Sequence, residues 1–242
     1  MADILLEVCV DDVQGLHAAI EGGADRIELC SALAVGGLTP SAGLMSVAGQ
    51  SPIPCYAMIR PRIGDFVYTA DELAVLENDI SFAASCGLRG VVFGANLPDG
   101  RLDRDALTRL SNAMGSMPRT LHRAFDLVPD MAEAIEIAIA CGFERILTSG
   151  RAVSALDGLT DLKSAIESAS GRISIMPGSG VTLETIGALL AELDLTEVHS
   201  SCSSSVDVDN PVVTAFGFSA PRVKQTNVEI VRSLKARLKT SQ

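Results

Sequence analysis

The sequence predicts an α/β fold, a (β/α)8 or TIM barrel with an additional C-terminal helix. Three observations predict it: short apolar runs alternate with longer helical patterns, eight such runs can be counted, and 242 residues is close to the length of a typical barrel of this kind. A doubly wound open sheet is the alternative, and it favours fewer strands and a glycine-rich first turn. The first turn here, at residues 11–13, lacks a G-x-G-x-x-G pattern, so the barrel is preferred.

The predicted strands and helices follow one another along most of the chain. The predicted strands cover residues 4–10, 26–30, 53–59, 89–93, 120–124, 145–148, 173–176 and 197–199. Helical patterns cover residues 12–21, 70–86, 103–114, 131–141, 156–168 and 183–193.

A short repeat supports the barrel. Gly23, Gly87 and Gly142 each precede an apolar run by a few residues, as a left-handed helix C-cap followed by a strand would require. The spacing suggests a two-stranded unit repeated around a ring. Arginines at the starts of these strands would lie at the bottom of the barrel, which assigns them to salt bridges rather than to catalysis: Arg26, Arg89 and Arg145.

The last forty residues depart from this rhythm. Residues 200–221 are rich in serine and too long for an ordinary connection, which predicts a functional or mobile loop. A final helix is expected at about 224–239, with Val228, Val231, Leu234 and Leu238 on one face. Residues 222–242 carry six basic residues and one acid, so this helix is suited to docking on the acidic body or on a partner subunit. The whole chain, 1–242, is predicted to form a single TIM-barrel domain.

Composition excludes several function classes. The chain has 30 Asp and Glu against 19 Lys and Arg, a net charge of −11, and phosphate backbones need a basic surface, so nucleic acid is not expected as a partner. No stretch is apolar and long enough to span a bilayer, and the first residues lack the basic start of a signal peptide. Both observations predict a cytoplasmic location, where the six cysteines are expected to be free thiols; none of them forms a C-x-x-C pair.

Barrel chemistry takes place at the C-terminal ends of the strands, and polar residues gather there. Glu7 and Glu28 lie inside apolar runs, where a carboxylate requires a cation, a metal or a proton. His122 and His199 are the acid–base candidates, whereas His17 falls on a predicted surface helix. A buried structural ion network is the alternative to a functional site. The candidate catalytic residues are Glu7, Glu28, Arg60, His122, Asp126 and His199.

Two segments are suited to binding an anion. Arg60 and Arg62 stand on one short stiff loop, and Gly178-Ser179-Gly180 precedes a helix expected to begin near Thr182, where freed N–H groups could face phosphate. A surface ion pair and a plain turn are the respective alternatives. The candidate ligand-binding residues are Arg62, Asp65, Arg123, Thr148, Ser149, Gly150, Gly178, Ser179 and Gly180.

The cysteines offer a different chemistry. Cys9 and Cys30 end the first and second strands, which are neighbours in a barrel, and soft thiolates with Met58 or Met176 nearby could hold Cu(I). Buried inert thiols are the alternative reading of Cys9 and Cys30.

Several motifs together resemble one family. They are Leu6-Glu7-Val8-Cys9-Val10, the run from Gly22 to Ser31, Gly36-Gly37-Leu38-Thr39-Pro40-Ser41, Met58-Ile59-Arg60-Pro61-Arg62 with Gly64-Asp65-Phe66, His122-Arg123-Ala124-Phe125-Asp126, the run from Arg145 to Gly150, and the run from Met176 to Val181. They resemble the CutC copper homeostasis family.

The resemblance implies a cytoplasmic TIM barrel that binds copper and forms a homo-oligomer, a dimer or tetramer, with Cys30 at a position proposed to bind copper. Three hypotheses therefore stand. The first is copper binding through Cys30 and Cys9. The second is an enzyme that acts on a small anionic metabolite, which is phosphorylated in one version of the hypothesis. Such an enzyme would use acid–base or divalent-metal chemistry. The third is a scaffold whose basic C-terminal helix recruits a partner.

Overall fold

The computed structural model describes residues 3–239 and contains a nearly closed barrel of eight parallel strands. Each barrel strand is short and is followed by at least one helical segment, as the alternating pattern predicts. The barrel strands are β1 Leu5–Val10, β2 Arg26–Leu29, β3 Cys55–Met58, β4 Gly90–Phe93, β5 Arg119–Leu121, β6 Arg145–Thr148, β7 Ser174–Pro177 and β8 Glu197–Ser200.

The helices surround this barrel. They are α1 Val13–Gly22, α2 Ala42–Ala48, α3 Ala70–Ser85, α4 Arg104–Ala113, α5 Met131–Ala140, α6 Leu159–Ala169, α7 Ile186–Glu192, α8 Pro211–Ala215 and α9 Val228–Lys239. Short 3-10 turns at Leu33–Val35 and Arg123–Leu127 follow β2 and β5. A separate antiparallel pair, β9 Ser203–Asp207 and β10 Arg222–Thr226, lies outside the barrel.

The order of the barrel strands is β7-β6-β5-β4-β3-β2-β1-β8, so the first strand pairs with both the second and the last. The register sets Glu7 beside His199 on one side and Cys9 beside Glu28 on the other. Because side chains alternate across a strand, residues two apart share the interior of the barrel. Strand pairing thus brings three polar strand ends together at one side of the mouth.

The apolar core lies mainly between the outer faces of the strands and the helices. The barrel interior has a smaller apolar cluster formed by Cys30, Tyr56, Met58 and Val92. Buried polar side chains occupy much of the remaining interior, with Glu7 fully buried. Such groups are stable there only when they are paired or hydrogen-bonded.

The glycines of the repeat behave as predicted. Gly23 follows α1 with φ 90° and its N–H bonds the carbonyls of Ala19 and Ile20. Gly87 and Gly142 likewise have positive φ, which side chains rarely adopt. Each glycine therefore ends a helix so that the next strand can start within a few residues.

The expected loop at 200–221 is more regular than predicted. Residues 203–207 pair with residues 222–226, and α8 lies between them. The strands are polar and solvent-facing, so they lack the apolar run by which strands were recognised. The last helix accordingly begins at Val228 and not at about 224, because Asn227 accepts the N–H groups of Glu229 and Ile230 as its cap.

Three other expectations need correction. The fifth strand ends at Leu121 rather than at residue 124, because the His122 ring accepts the Ala124 N–H and turns the chain into a 3-10 helix. The seventh helix begins at Ile186, not near Thr182, since residues 183–185 form a turn. The short helix α2 was not predicted; its cap is Ser41, which accepts the N–H of Leu44.

The C-terminal helix docks on the body of the same chain. Val231, Leu234 and Leu238 are fully buried against the core, and α9 packs on α1 and β1. Lys235 forms an ion pair of 2.5 Å with Asp25, so the basic tail does meet the acidic body. None of the helices within residues 3–239 combines the length and apolar character needed to cross a bilayer.

Candidate functional site

A cavity of about 320 Å³ opens at the C-terminal ends of the strands. This is the end of a barrel where chemistry is expected. Its lining is apolar in part, with Leu33, Met58, Phe66 and Leu147 among its residues. The charged or titratable residues that line it are Cys9, Glu28, Arg60, His122, Arg123 and His199.

His199 is held by a buried carboxylate. Its Nδ1 lies 2.8 Å from Oε1 of Glu7, and its Nε2 lies 3.8 Å from Oε2 of Glu28. Burial alone would raise the pKa of Glu7, but Arg26 and His199 lower it to about 2. Burial alone would lower the pKa of His199, but Glu28 and its other acidic neighbours raise it well above 6.5. Without a bound ligand, Glu7 is therefore a carboxylate and His199 is protonated.

Three potential ligand atoms converge beside this pair. One atom each from Cys9, Glu28 and His199 lies within 4.8 Å of the other two, and all three residues are buried. Oε1 of Glu28 is buried without a hydrogen-bond partner among the residues that the structure describes. Burial raises the pKa of this carboxyl despite the opposing charge of His199. The cluster thus offers one sulfur, one oxygen and one nitrogen to a metal ion.

Cys30 lies next to this cluster but is not one of the three. Its Sγ is 3.5 Å from Oε2 of Glu28, to which it donates, and its side chain is fully buried beside Met58. A Cβ on Gly37 would stand 3.0 Å from Sγ, so the backbone covers the thiol closely. Burial and the Glu28 charge raise the pKa of Cys30 well above 9. Cys30 is consequently a buried neutral thiol in this arrangement.

An ion network beneath the mouth positions Glu7. Arg26 binds Glu7 and also reaches Glu197 at 2.6 Å, and Arg145 lies 3.1 Å from Glu197. Both guanidinium groups lie 5.3 Å from the ring centre of Tyr56. These contacts join residues of non-neighbouring strands through the barrel interior. Arg26 and Arg145 form salt bridges, as expected from the sequence. Arg89, for which the same role was expected, is exposed.

Arg60 lies at the mouth just after β3, the strand that pairs with β2. It is 6% exposed, and its Nη atoms donate to the carbonyls of Val35, Gly37 and Gly64 at 3.0–3.1 Å. Its Cζ lies 5.1 Å from the ring centre of Phe66. Within residues 3–239, Nε of Arg60 has no hydrogen-bond partner. The guanidinium is thus fixed by backbone groups and not neutralised by a carboxylate.

His122 lies near Arg60. Its Nδ1 accepts the N–H of Ala124 at 3.1 Å, and its Nε2 is buried without a partner among the described residues. The ring centre is 4.6 Å from that of Phe66. Burial and the positive charge of Arg60 lower the pKa of His122 to about 3. His122 is therefore neutral near pH 7 and carries its proton on Nε2.

Asp126 braces a loop outside the cavity lining. Its carboxylate accepts from Oγ1 of Thr148 at 2.5 Å, from the N–H of Ser149 at 3.1 Å and from Nε of Arg123 at 2.6 Å. Gly150 donates its N–H to Oγ1 of Thr148. Of these five predicted site residues, Arg123 lines the cavity, and the others connect the ends of β5 and β6.

The other predicted anion-binding residues are divided between the rim and the interior. Arg62 binds Asp65 and Glu72 outside the cavity lining. Ser179 and Gly180 line the cavity, but Oγ of Ser179 donates to a backbone carbonyl. Gly178 is packed so tightly that a Cβ would lie 2.4 Å from Leu147.

Two residues, one at the mouth and one in the ion network beneath it, were not singled out from the sequence. Phe66 packs against both Arg60 and His122. Glu197 joins Arg26, which is buried, and Arg145, which is partly buried. Glu197 could have been found by counting two residues back from His199, since alternation places both inside the barrel.

Comparison with known proteins gives the family. The CutC family model matches residues 4–204. The chain belongs to the CutC family. It is 58% identical to a family protein CutC of Sinorhizobium medicae, covering 98% of this chain and 96% of the relative. It is 44% identical to the human copper homeostasis protein cutC homolog, covering 96% of this chain and 88% of that one.

Solved structures agree with the fold. The crystal structure of CutC from Streptococcus agalactiae matches with a TM-score of 0.78 at 34% identity, covering 82% of this chain and 98% of that chain. A thiamine phosphate pyrophosphorylase from Pyrococcus furiosus matches with a TM-score of 0.61 at 13% identity, covering 98% of this chain and 96% of that one. This second similarity concerns the barrel fold alone.

Proposed function

We propose that this CutC family protein takes part in copper homeostasis by binding a copper ion through Cys9, Glu28 and His199. The observation that carries the proposal is the convergence of these three buried ligand atoms within 4.8 Å at the cavity. The name of the human relative, copper homeostasis protein cutC homolog, supplies the metal. From the sequence, Cys30 and Cys9 were the expected copper ligands. The proposal keeps Cys9 and replaces Cys30 with Glu28 and His199.

The residues present fit a metal ion. Glu7 holds Nδ1 of His199, and a carboxylate behind an imidazole orients the other ring nitrogen toward a metal. Oε1 of Glu28 has no partner within the described chain and is available as a ligand. Thiolate and imidazole both suit copper, although the carboxylate also suits harder divalent ions. A metal must displace a proton from His199, whose pKa is raised well above 6.5, so its affinity increases as pH rises.

Anaerobic titration with Cu(I) against a chromogenic chelator tests this assignment. Cys9→Ser is expected to lose the bound copper, because it removes the sulfur ligand. Cys30→Ser is the matched control and should retain one copper per chain, since its thiol lies outside the three-atom group. Loss of copper in Cys30→Ser with retention in Cys9→Ser would contradict the proposed ligand set. Tighter binding of Zn²⁺ than of either copper ion would contradict the choice of metal.

An enzyme acting on a small anionic metabolite is the second candidate function. The observation that favours it is the 2.8 Å contact of Glu7 with His199 beside a cavity that is also lined by Arg60. Glu7 would position His199, and His199 with Glu28 would move protons at the substrate. The test is a search for turnover among metabolites that raise the melting temperature. Equal turnover by His199→Gln would contradict this candidate.

We propose further that the chain forms a homo-oligomer, a dimer or tetramer. Phe216 and Phe218 are 73% and 83% exposed next to α8, and Val212 is 58% exposed. Large exposed apolar side chains that lie together favour association. Light scattering should show a smaller mass for a Phe216→Ser, Phe218→Ser double variant than for the wild-type chain. A monomeric wild-type protein would refute the proposal.

Two remaining proposals concern the whole chain. The 242 residues are proposed to fold as one TIM-barrel domain, and two separate calorimetric transitions would contradict this. A cytoplasmic location is proposed because all six cysteines are free thiols, which suits a reducing compartment. Recovery of the protein in an oxidising compartment by cell fractionation would contradict that location.

A further inference from the structure

The mouth of the barrel contains a buried cation, Arg60, for which the described residues provide no counter-ion within salt-bridge distance. Arg60 is 6% exposed, and the partners of its guanidinium in the described chain are three backbone carbonyls and the face of Phe66. A buried guanidinium without a carboxylate is costly unless an anion completes its environment. Nε of Arg60 still has a proton to donate.

A second unused donor lies nearby. His122 is 3% exposed, and the N–H of Ala124 occupies its Nδ1. The remaining ring nitrogen, Nε2, must therefore carry the proton, and it has no acceptor among residues 3–239. The low pKa of His122, about 3, keeps this neutral donor form across the physiological range.

The two donors belong to one corner of the cavity. Phe66 packs against both, at 5.1 Å from Cζ of Arg60 and 4.6 Å from the centre of the His122 ring. All three side chains line the same cavity. One positive charge and two buried N–H groups without acceptors in the described chain therefore lie beside an aromatic ring at this cavity.

We propose that Nε of Arg60 and Nε2 of His122 donate to the carboxylate group of a small organic acid bound in this cavity. Two donors match the two oxygens of a carboxylate, and one guanidinium matches its single charge. A phosphate would bring a second charge and further oxygens into a cavity that also contains the carboxyl group of Glu28. Leu33, Met58 and Leu147 are suited to contact a short apolar body.

This inference deepens the second candidate function by naming the group that anchors its substrate, and it does not depend on copper. Neither Arg60 nor His122 belongs to the proposed copper ligands. If the protein binds carboxylates but turns over no compound, the proposed carboxylate site is supported and only the enzyme proposal is contradicted. If the protein does not bind carboxylates but turns over another compound, the proposed carboxylate site is wrong and the enzyme proposal stands.

Thermal shift and calorimetric titration with propionate test the anchor on the full-length, metal-free protein. Propionamide has the same shape without the charge, and inorganic phosphate has the charge without the apolar body. Propionate is expected to raise the melting temperature, whereas propionamide is not expected to do so. An equal effect of propionamide, no effect of propionate, or a larger effect of phosphate would overturn the proposal.

The decisive variant is His122→Asn. Asparagine can still accept the N–H of Ala124 as a cap, but it is too short to place a donor where Nε2 lies. Propionate affinity should fall about tenfold, the usual consequence of losing one hydrogen bond to a charged group. His17→Asn, on the exposed face of α1, is the matched control and should bind propionate as the wild type does.

Arg60→Gln gives an independent test, with Arg89→Gln at the opposite end of the barrel as its control. Arg60→Gln should lose propionate binding altogether, because it removes the charge. Since Arg60 also braces three loop carbonyls, a misfolded Arg60→Gln leaves His122→Asn to decide the question. Unchanged propionate affinity in His122→Asn would overturn the assignment.

Discussion

Replacing Glu7 by glutamine tests the electrostatic centre of the barrel. The substitution preserves shape and removes the carboxylate that binds Arg26 and His199. The pKa of Glu7 is about 2 in the folded chain against an ordinary value of 4.5. At 1.36 kcal/mol per pKa unit, this difference corresponds to about 3 kcal/mol of folding free energy near neutral pH. Glu7→Gln is expected to lose about that much, which agrees with the cost of breaking a buried ion pair.

The pH dependence gives the prediction its sign. Because folding lowers the pKa of Glu7, the carboxylate stabilises the fold fully above pH 4.5, and this contribution is lost as pH falls toward 2. The difference in unfolding free energy between wild type and Glu7→Gln should therefore be largest near neutral pH and shrink below 4.5. Urea denaturation of the metal-free proteins at several pH values measures it.

An exposed ion pair provides the control. Glu136 pairs with Arg172 on the surface, so Glu136→Gln should change the unfolding free energy by less than about 1 kcal/mol. A loss in Glu7→Gln no larger than in this control, or one that stays constant as the pH is lowered, would refute the electrostatic reasoning.

Four further outcomes are expected. Gly22→Ala should lose about 1–3 kcal/mol in urea unfolding, because a Cβ there would stand 2.5 Å from the final helix; an unchanged midpoint would contradict that contact. Leu234→Ala should lose about 2–5 kcal/mol, since the side chain is fully buried, and a smaller loss would mean that α9 is only loosely docked. Brief alkylation followed by mass spectrometry should modify Cys86 first, because the other five cysteines are buried; earlier modification of another thiol would be inconsistent with the packing. In NMR titrations the His122 ring should stay neutral down to about pH 4, and a midpoint near 6.5 would show that it is not desolvated.

The fold could be predicted because its signals are local and periodic. Each barrel strand is a short apolar run, and glycines such as Gly23 mark where helices end. The strand pair after β8 was missed because its side chains are mostly polar and its paired residues are far apart in the sequence. Such a pair, whose partners are 15 to 23 residues apart, has neither an apolar run nor a short hairpin turn to indicate it.

The site was predicted less completely, because it depends on distances between strands. Glu7, Glu28 and His199 could be chosen as charged residues in apolar runs, and the register brings them together. In the sequence, Cys9 and Cys30 are equivalent because each ends a predicted strand. In the structure, Cys9 lies with the potential ligand atoms of Glu28 and His199, whereas Cys30 lies under Gly37. The neutral state of His122 likewise depends on burial and on Arg60, neither of which is visible in a motif.

The position of β1 has a consequence for synthesis of the chain. Its free edge is completed by β8, and α9 covers it together with α1, so β1 contacts elements that lie far after it in the chain. During translation, the N-terminal strand must remain without these neighbours until the C-terminal residues leave the ribosome. The polar mouth also stays open until then, because His199 reaches Glu7 only when β8 pairs. Assembly of the cluster is therefore one of the final steps of folding, and a chain shortened before α9 would expose the apolar surface that this helix buries.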